Sequence, residues 1–108
     1  TLKELDCSYN QLTSLDKLPS TLKELDCSWN NKLTSLDKLP ATLKELDCSY
    51  NHLTNLNNLP ATLEALICND NQLLCLDNLP ATLKTLHCSY NQIISLKNLP
   101  NSLEILYK

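Results

Sequence analysis

The chain has 108 residues, 43% hydrophobic and 19% charged, and carries a net charge of −3 from nine lysines and twelve acids. Arginine is absent, so the basic stripe and guanidinium contacts expected of a nucleic-acid binder are missing, and nucleic acid is not an expected partner. Glycine is also absent, which rules out a glycine-rich phosphate loop, and no apolar run approaches membrane-spanning length.

The organisation is set by repetition. Pro19, Pro40, Pro60, Pro80 and Pro100 are spaced by 21, 20, 20 and 20 residues, and Cys7, Cys27, Cys48, Cys68 and Cys88 keep nearly the same beat. A fixed period near twenty residues implies stacked repeats, each burying its apolar face on its neighbours. The chain divides into five full units (1–20, 21–41, 42–61, 62–81, 82–101) and a partial sixth (102–108), expected to form a single array over 1–108. The second unit holds one extra residue, at Asn30 or Asn31.

Within each unit the first element reads as a strand. Leu5 and Cys7 alternate with Glu4, Asp6 and Ser8, the period of two of a half-buried strand. The equivalent strands are expected near Leu5–Ser8, Leu25–Ser28, Leu46–Ser49, Leu66–Asn69 and Leu86–Ser89. Next comes an asparagine (Asn10, Asn30 or Asn31, Asn51, Asn71, Asn91) whose inward amide is placed to satisfy backbone groups at the bend. The return leg follows, with Leu12, Leu15 and Leu18 recurring every third residue up to Pro19. Period three suits an extended, polyproline-like path, and about ten residues are too few for a helix to travel back along the strand. Stacking such units gives a right-handed solenoid with a parallel sheet on one face and little or no helix. Leu2, Leu5, Cys7, Leu12, Leu15 and Leu18 and their equivalents form its inward columns.

The segment LxxLxCxxNxL at Leu2–Leu12 recurs at Leu43–Leu53, Leu63–Leu73 and, ending in isoleucine, Leu83–Ile93; one inserted residue stretches it at Leu22–Leu33. With these motifs the chain resembles the leucine-rich repeat family. The short period and the LP before each strand are most similar to the bacterial type known from type III secreted effectors. That type commonly reads LPxLP, and here the first proline is replaced by Asp16, Asp37, Asn57, Asp77 or Lys97. The resemblance implies a scaffold that binds other proteins. It does not specify which, because one fold hosts many functions.

No catalytic, metal or cofactor site is expected. His87 and Cys88 are neighbours on a strand and point to opposite faces, so they do not form a nucleophile–base pair. The five ladder cysteines read as small buried hydrophobes, whereas Cys75, at the place of Ser14, is expected to be partly exposed. Parallel thiols and the absence of an N-glycosylation sequon suit the cytoplasm or another reducing compartment, and are compatible with a secreted effector.

The outward strand positions are the candidate partner surface. One column runs Glu4, Glu24, Glu45, Ala65, Thr85, Ile105, and its neighbour runs Asp6, Asp26, Asp47, Ile67, His87, Tyr107. Both are acidic for three units and then turn apolar or neutral. The stacked carboxylates are expected to be neutralised by the column holding Lys3, Lys23 and Lys44, with calcium capture as a minor alternative. Trp29 and Tyr50 belong to a further column (Tyr9, Trp29, Tyr50, Asp70, Tyr90) that either covers the sheet margin or supplies binding anchors. The expected partner is a protein, held on the outward face. The alternative is a structural module that stacks end to end with copies of itself. Lys108 falls where an inward cysteine would stand, so it is expected to turn outward and stop the stack, whereas the Thr1–Asn10 edge is expected to need a cover.

Overall fold

The computed structural model describes all residues from Thr1 to Lys108. Six three-residue strands, β1 (Glu4–Asp6), β2 (Glu24–Asp26), β3 (Glu45–Asp47), β4 (Ala65–Ile67), β5 (Thr85–His87) and β6 (Ile105–Tyr107), form one sheet in sequential order. Every neighbouring pair is parallel and in register, so that Leu5, Leu25, Leu46, Leu66, Leu86 and Leu106 lie side by side. The return legs contain no helix. The architecture is therefore the solenoid with a parallel sheet on one face that the repeat predicts.

The strands begin one residue earlier and end two residues earlier than the alternation suggests, and the partial sixth unit supplies a full strand. The stop falls at the same place in every repeat, including those that end on Ile67 and His87, and in the first three an aspartate there is tied to the turn that follows. Asp26 Oδ1 accepts from the Ser28 N–H at 3.0 Å and from Ser28 Oγ at 2.6 Å. Asp6 Oδ1 accepts from the Ser8 N–H, and Asp47 Oδ1 from the Ser49 N–H, each at 3.0 Å. This local side-chain bond reinforces a turn that also forms in the repeats carrying Ile67 and His87, while backbone bonds such as Cys7 N–H to the Asp26 carbonyl continue past it. The turn is completed by a residue in the left-handed region, with φ of 56° at Tyr9, 57° at Trp29, 55° at Tyr50, 55° at Asp70 and 57° at Tyr90.

The asparagine after each turn joins one repeat to the next. Asn71 Nδ2 donates to the carbonyls of Cys68 (3.3 Å) and Asn69 (3.2 Å) in its own repeat and of Cys48 (3.0 Å) in the preceding one. Its Oδ1 accepts the Leu53 N–H at 3.0 Å. Asn91 repeats the pattern through Cys68, Cys88, Ser89 and Leu73. In the longer unit Asn30 holds this place: its amide reaches Cys7 and Cys27, and Leu12 donates to it. A second ladder, which the sequence reading did not assign, is made by hydroxyls at the start of each unit. Thr21, Thr42, Thr62 and Thr82 donate to the carbonyls of Leu2, Leu22, Leu43 and Leu63, and Ser102 donates to Leu83. A turn closed by Leu22 N–H onto the Pro19 carbonyl (3.3 Å) brings the chain back to the strand, and it recurs after every proline.

Between these ladders, eighteen buried leucines and cysteines form one core. Leu22, Leu43, Leu63 and Leu83 are fully enclosed, whereas Leu2, in the first repeat, is 46% exposed. The column of Leu18, Leu39, Leu59, Leu79 and Leu99 is only half-buried. Four of the five ladder cysteines are buried; Cys7, in the first repeat, is only partly so, and Cys75 is exposed. Burial pushes the thiols of Cys27, Cys48 and Cys68 well above the ordinary 9.0. Lys108 is exposed, as its charge requires.

The extra residue is Asn31, accommodated at a φ of 64°. It displaces the start of the return leg and removes two bonds that other repeats make. His52, Gln72 and Gln92 N–H groups donate to the carbonyls of Leu33, Leu53 and Leu73, but none donates to Leu12. Leu12, Leu53 and Leu73 donate to the next asparagine's Oδ1, whereas Leu33 does not reach Asn51. The buried Asn51 Oδ1 is left without a partner as a result. An unsatisfied buried acceptor costs about 1–3 kcal/mol. Deleting Asn31 should therefore raise unfolding stability by about that amount, seen as a higher denaturant midpoint. An unchanged or lower midpoint would show that the bulge is not the cause of the orphaned oxygen.

Candidate functional site

Strand alternation turns every Leu of the sheet inward and the residues on either side of it outward. In-register pairing then stacks like on like: Glu4 beside Glu24 beside Glu45, and Asp6 beside Asp26 beside Asp47. These six carboxylates line a single groove of about 430 Å³ that runs across β1 to β4 and ends on Ala65 and Ile67. The groove thus gathers seven of the candidate residues and adds Ala65, whose small side chain opens the wall at the point where the column loses its charge.

The two acidic columns are not equivalent. Each aspartate has one oxygen committed to the serine two residues on, and in Asp6 this holds the carboxyl below its ordinary range. Glu4, Glu24 and Glu45 form no ion pair. Repulsion from Glu45 and then from Glu4 raises the pKa of the central Glu24 above 4.5.

The lysine column does not neutralise them, contrary to expectation. Lys44 and Lys84 both turn to Glu64, at 3.4 and 3.7 Å, and the remaining ion pair joins Lys38 to Asp16 on the return legs at 3.7 Å. The physical reason is the same register: Glu64 sits in the lysine column itself and is the carboxylate next in line. No three His, Cys, Asp or Glu side chains converge as ligands, so the calcium alternative has no preformed site.

His87, Ile105, Tyr107, Trp29 and Tyr50 lie around the groove without lining it. Ile67, His87 and Tyr107 continue one column, and Ala65, Thr85 and Ile105 the other. The His87 and Tyr107 rings are 4.5 Å apart, and Ile105 and Tyr107 are 47% and 56% exposed. Trp29 and Tyr50 stack at 3.7 Å with planes 11° apart, and Tyr9 stacks on Trp29 at 5.5 Å and 8°. In column order Trp29 is flanked on both faces by tyrosines, and Tyr9, at the end of the stack, is the most exposed of the three.

The repeat geometry, the asparagine ladder and the leucine columns now coincide with a sequence match. A profile of leucine-rich repeats in two copies matches residues 1–41 and 20–61. The chain belongs to the leucine-rich repeat family. Among solved structures it is similar to the leucine-rich repeat domain of a Shigella effector, at 42% identity and a TM-score of 0.89 over 97% of this chain and 48% of that one. It is likewise similar to YopM from Yersinia enterocolitica WA-314, at 41% identity and a TM-score of 0.87 over 97% of this chain and 23% of that one. The chain therefore spans about half and about a quarter of the lengths of these two relatives. No curated protein sequence matches significantly. Repeat domains of this family are typically non-catalytic scaffolds that bind proteins.

The uncompensated glutamate column carries a pH signature. A carboxyl whose pKa is raised on folding favours the folded state below its unfolded pKa and loses that contribution as pH rises through its folded value. Glu24→Gln should accordingly melt higher than the parent at neutral pH and low salt, and the two should converge below about pH 4 and at high salt. A parent that is the more stable of the two at neutral pH would contradict uncompensated repulsion.

Proposed function

We propose that residues 1–108 act as one non-enzymatic binding scaffold, and that its outward sheet face holds a protein partner. The observation that carries this reading is the groove across β1–β4, floored by core leucines and walled by outward side chains, among them Glu4, Glu24, Glu45 and Ile67. Glu4, Glu24 and Glu45 form no ion pair, and Ile67, Ile105 and Tyr107 are apolar groups at outward positions outside the core cluster. A stable fold that retains mutual repulsion and exposed apolar surface on one face is keeping that face for something else. Family membership supports the reading, since such repeats generally bind proteins. The six free cysteines and the likeness to bacterial effector repeats support action in a reducing compartment.

Glu24 and Ile67 are suitable probes because neither makes a bond that the fold needs. Peptides selected from a random display library against the intact chain should mostly lose binding to the Glu24→Lys, Ile67→Glu double variant. They should keep binding to Asp77→Lys, which changes a return leg. Selected peptides that ignore the sheet-face substitutions and respond to Asp77→Lys would overturn the assignment.

A further inference from the structure

The sheet face is not uniform, and its division runs in one direction along the array. Over β1–β3 both outward columns are carboxylates; over β4–β6 they are Ala65, Ile67, Thr85, His87, Ile105 and Tyr107. The switch falls between β3 and β4, and the groove crosses it without a break, from Glu4 and Asp6 to Ala65 and Ile67.

Each half lacks something that a partner can supply. The acidic half lacks cations, since Lys44 is drawn to Glu64 and no other lysine bridges the face carboxylates. Its glutamates raise one another's energy, and an incoming positive charge relieves that repulsion while making new attractive pairs. The apolar half leaves Ile105 and Tyr107 about half exposed, and covering them removes apolar surface from water.

Resting on the sheet-face reading above, we infer that the partner presents a polypeptide segment with lysine or arginine at one end and apolar side chains at the other, laid across the strands. Its basic end sits over Glu4, Glu24 and Glu45, and its apolar end over Ile67, Ile105 and Tyr107. Strands about 4.8 Å apart put Glu24 on β2 about 10 Å from Ile67 on β4, so an extended segment passes from the acidic to the apolar columns within about three residues. The change from basic to apolar in the segment then falls over the β3–β4 boundary. A uniformly basic segment leaves the apolar half bare, and a uniformly apolar one buries unpaired carboxylates, which is costly. Charge complementarity therefore selects the pattern as well as the sign.

The test uses fluorescence anisotropy of the intact chain with a labelled peptide of about twelve residues, lysines in one half and leucines and isoleucines in the other. Three comparison peptides have glutamates in place of the lysines, serines in place of the apolar residues, or the same composition scrambled. The segregated peptide should bind about tenfold or more tightly than each of the three. Glu24→Lys should weaken it about tenfold at low salt, Ile67→Glu should also weaken it, and the charge-dependent part should fade as salt shortens the screening length. Equal binding of the glutamate or scrambled peptide, or an affinity unchanged by Glu24→Lys, overturns the inference. So does failure of the segregated peptide to bind. If display-selected peptides still depend on Glu24 and Ile67 in that event, the sheet-face reading stands and only the partner's chemistry is wrong; if they do not, both fall.

Discussion

Parallel pairing in register places each side chain next to its own equivalent in the neighbouring repeat, about 4.8 Å away. Every property of this molecule follows from whether a residue type tolerates such company. Leucines do, because dispersion and burial are indifferent to identity, and six units of Leu at one position make a continuous core. Asparagine does better than tolerate it: with donors on one atom and an acceptor on the other, it bonds its own repeat and the two carbonyl and N–H groups offered by the preceding one. Carboxylates do not, and the stacked glutamates of β1–β3 are the place where the register works against the fold.

That contrast links architecture to function. The inward columns are of one kind throughout because any departure leaves a hole or an orphaned group; the single inserted residue, Asn31, strands the buried Asn51 oxygen one repeat away. The outward columns carry no such obligation. They change from acid to apolar midway along the array, and the groove that results is graded in charge. The aspartates stand between the two cases, since one oxygen of each closes the turn at the strand end while the other remains available to the face.

Much of this was legible in the sequence, for a physical reason. A repeat prints its columns directly as recurring letters, so the proline beat, the leucine triplets and the asparagine after each strand convert to geometry without knowledge of distant contacts. The six groove carboxylates and Ile67 were equally readable from alternation. Three features were not. The strand ends fall just before a turn made by a left-handed residue such as Trp29 or Asp70, whether the last strand residue is Asp26 or Ile67, and alternation does not register it. The hydroxyl ladder from Thr21 to Ser102 was present as a recurring hydroxyl residue, but its donors reach across nineteen or twenty residues to a carbonyl that no pattern marks. The lysines were assigned to the acidic columns because they are adjacent in sequence, whereas in the fold Lys44 has Glu64 directly beside it in its own column.

The central claim, that the asparagine amide joins consecutive repeats, is tested most directly by comparing Asn71→Ala with Asn10→Ala in equilibrium denaturation. Asn71 spans two repeats through four bonds, whereas Asn10 reaches only the carbonyls of Cys7 and Ser8 in its own repeat. Asn71→Ala should lower stability by about 2–4 kcal/mol, and Asn10→Ala by about 1 kcal/mol or less. Equal losses at the two positions would contradict the account, because they would place the amide's contribution in its own turn and not in the junction between repeats.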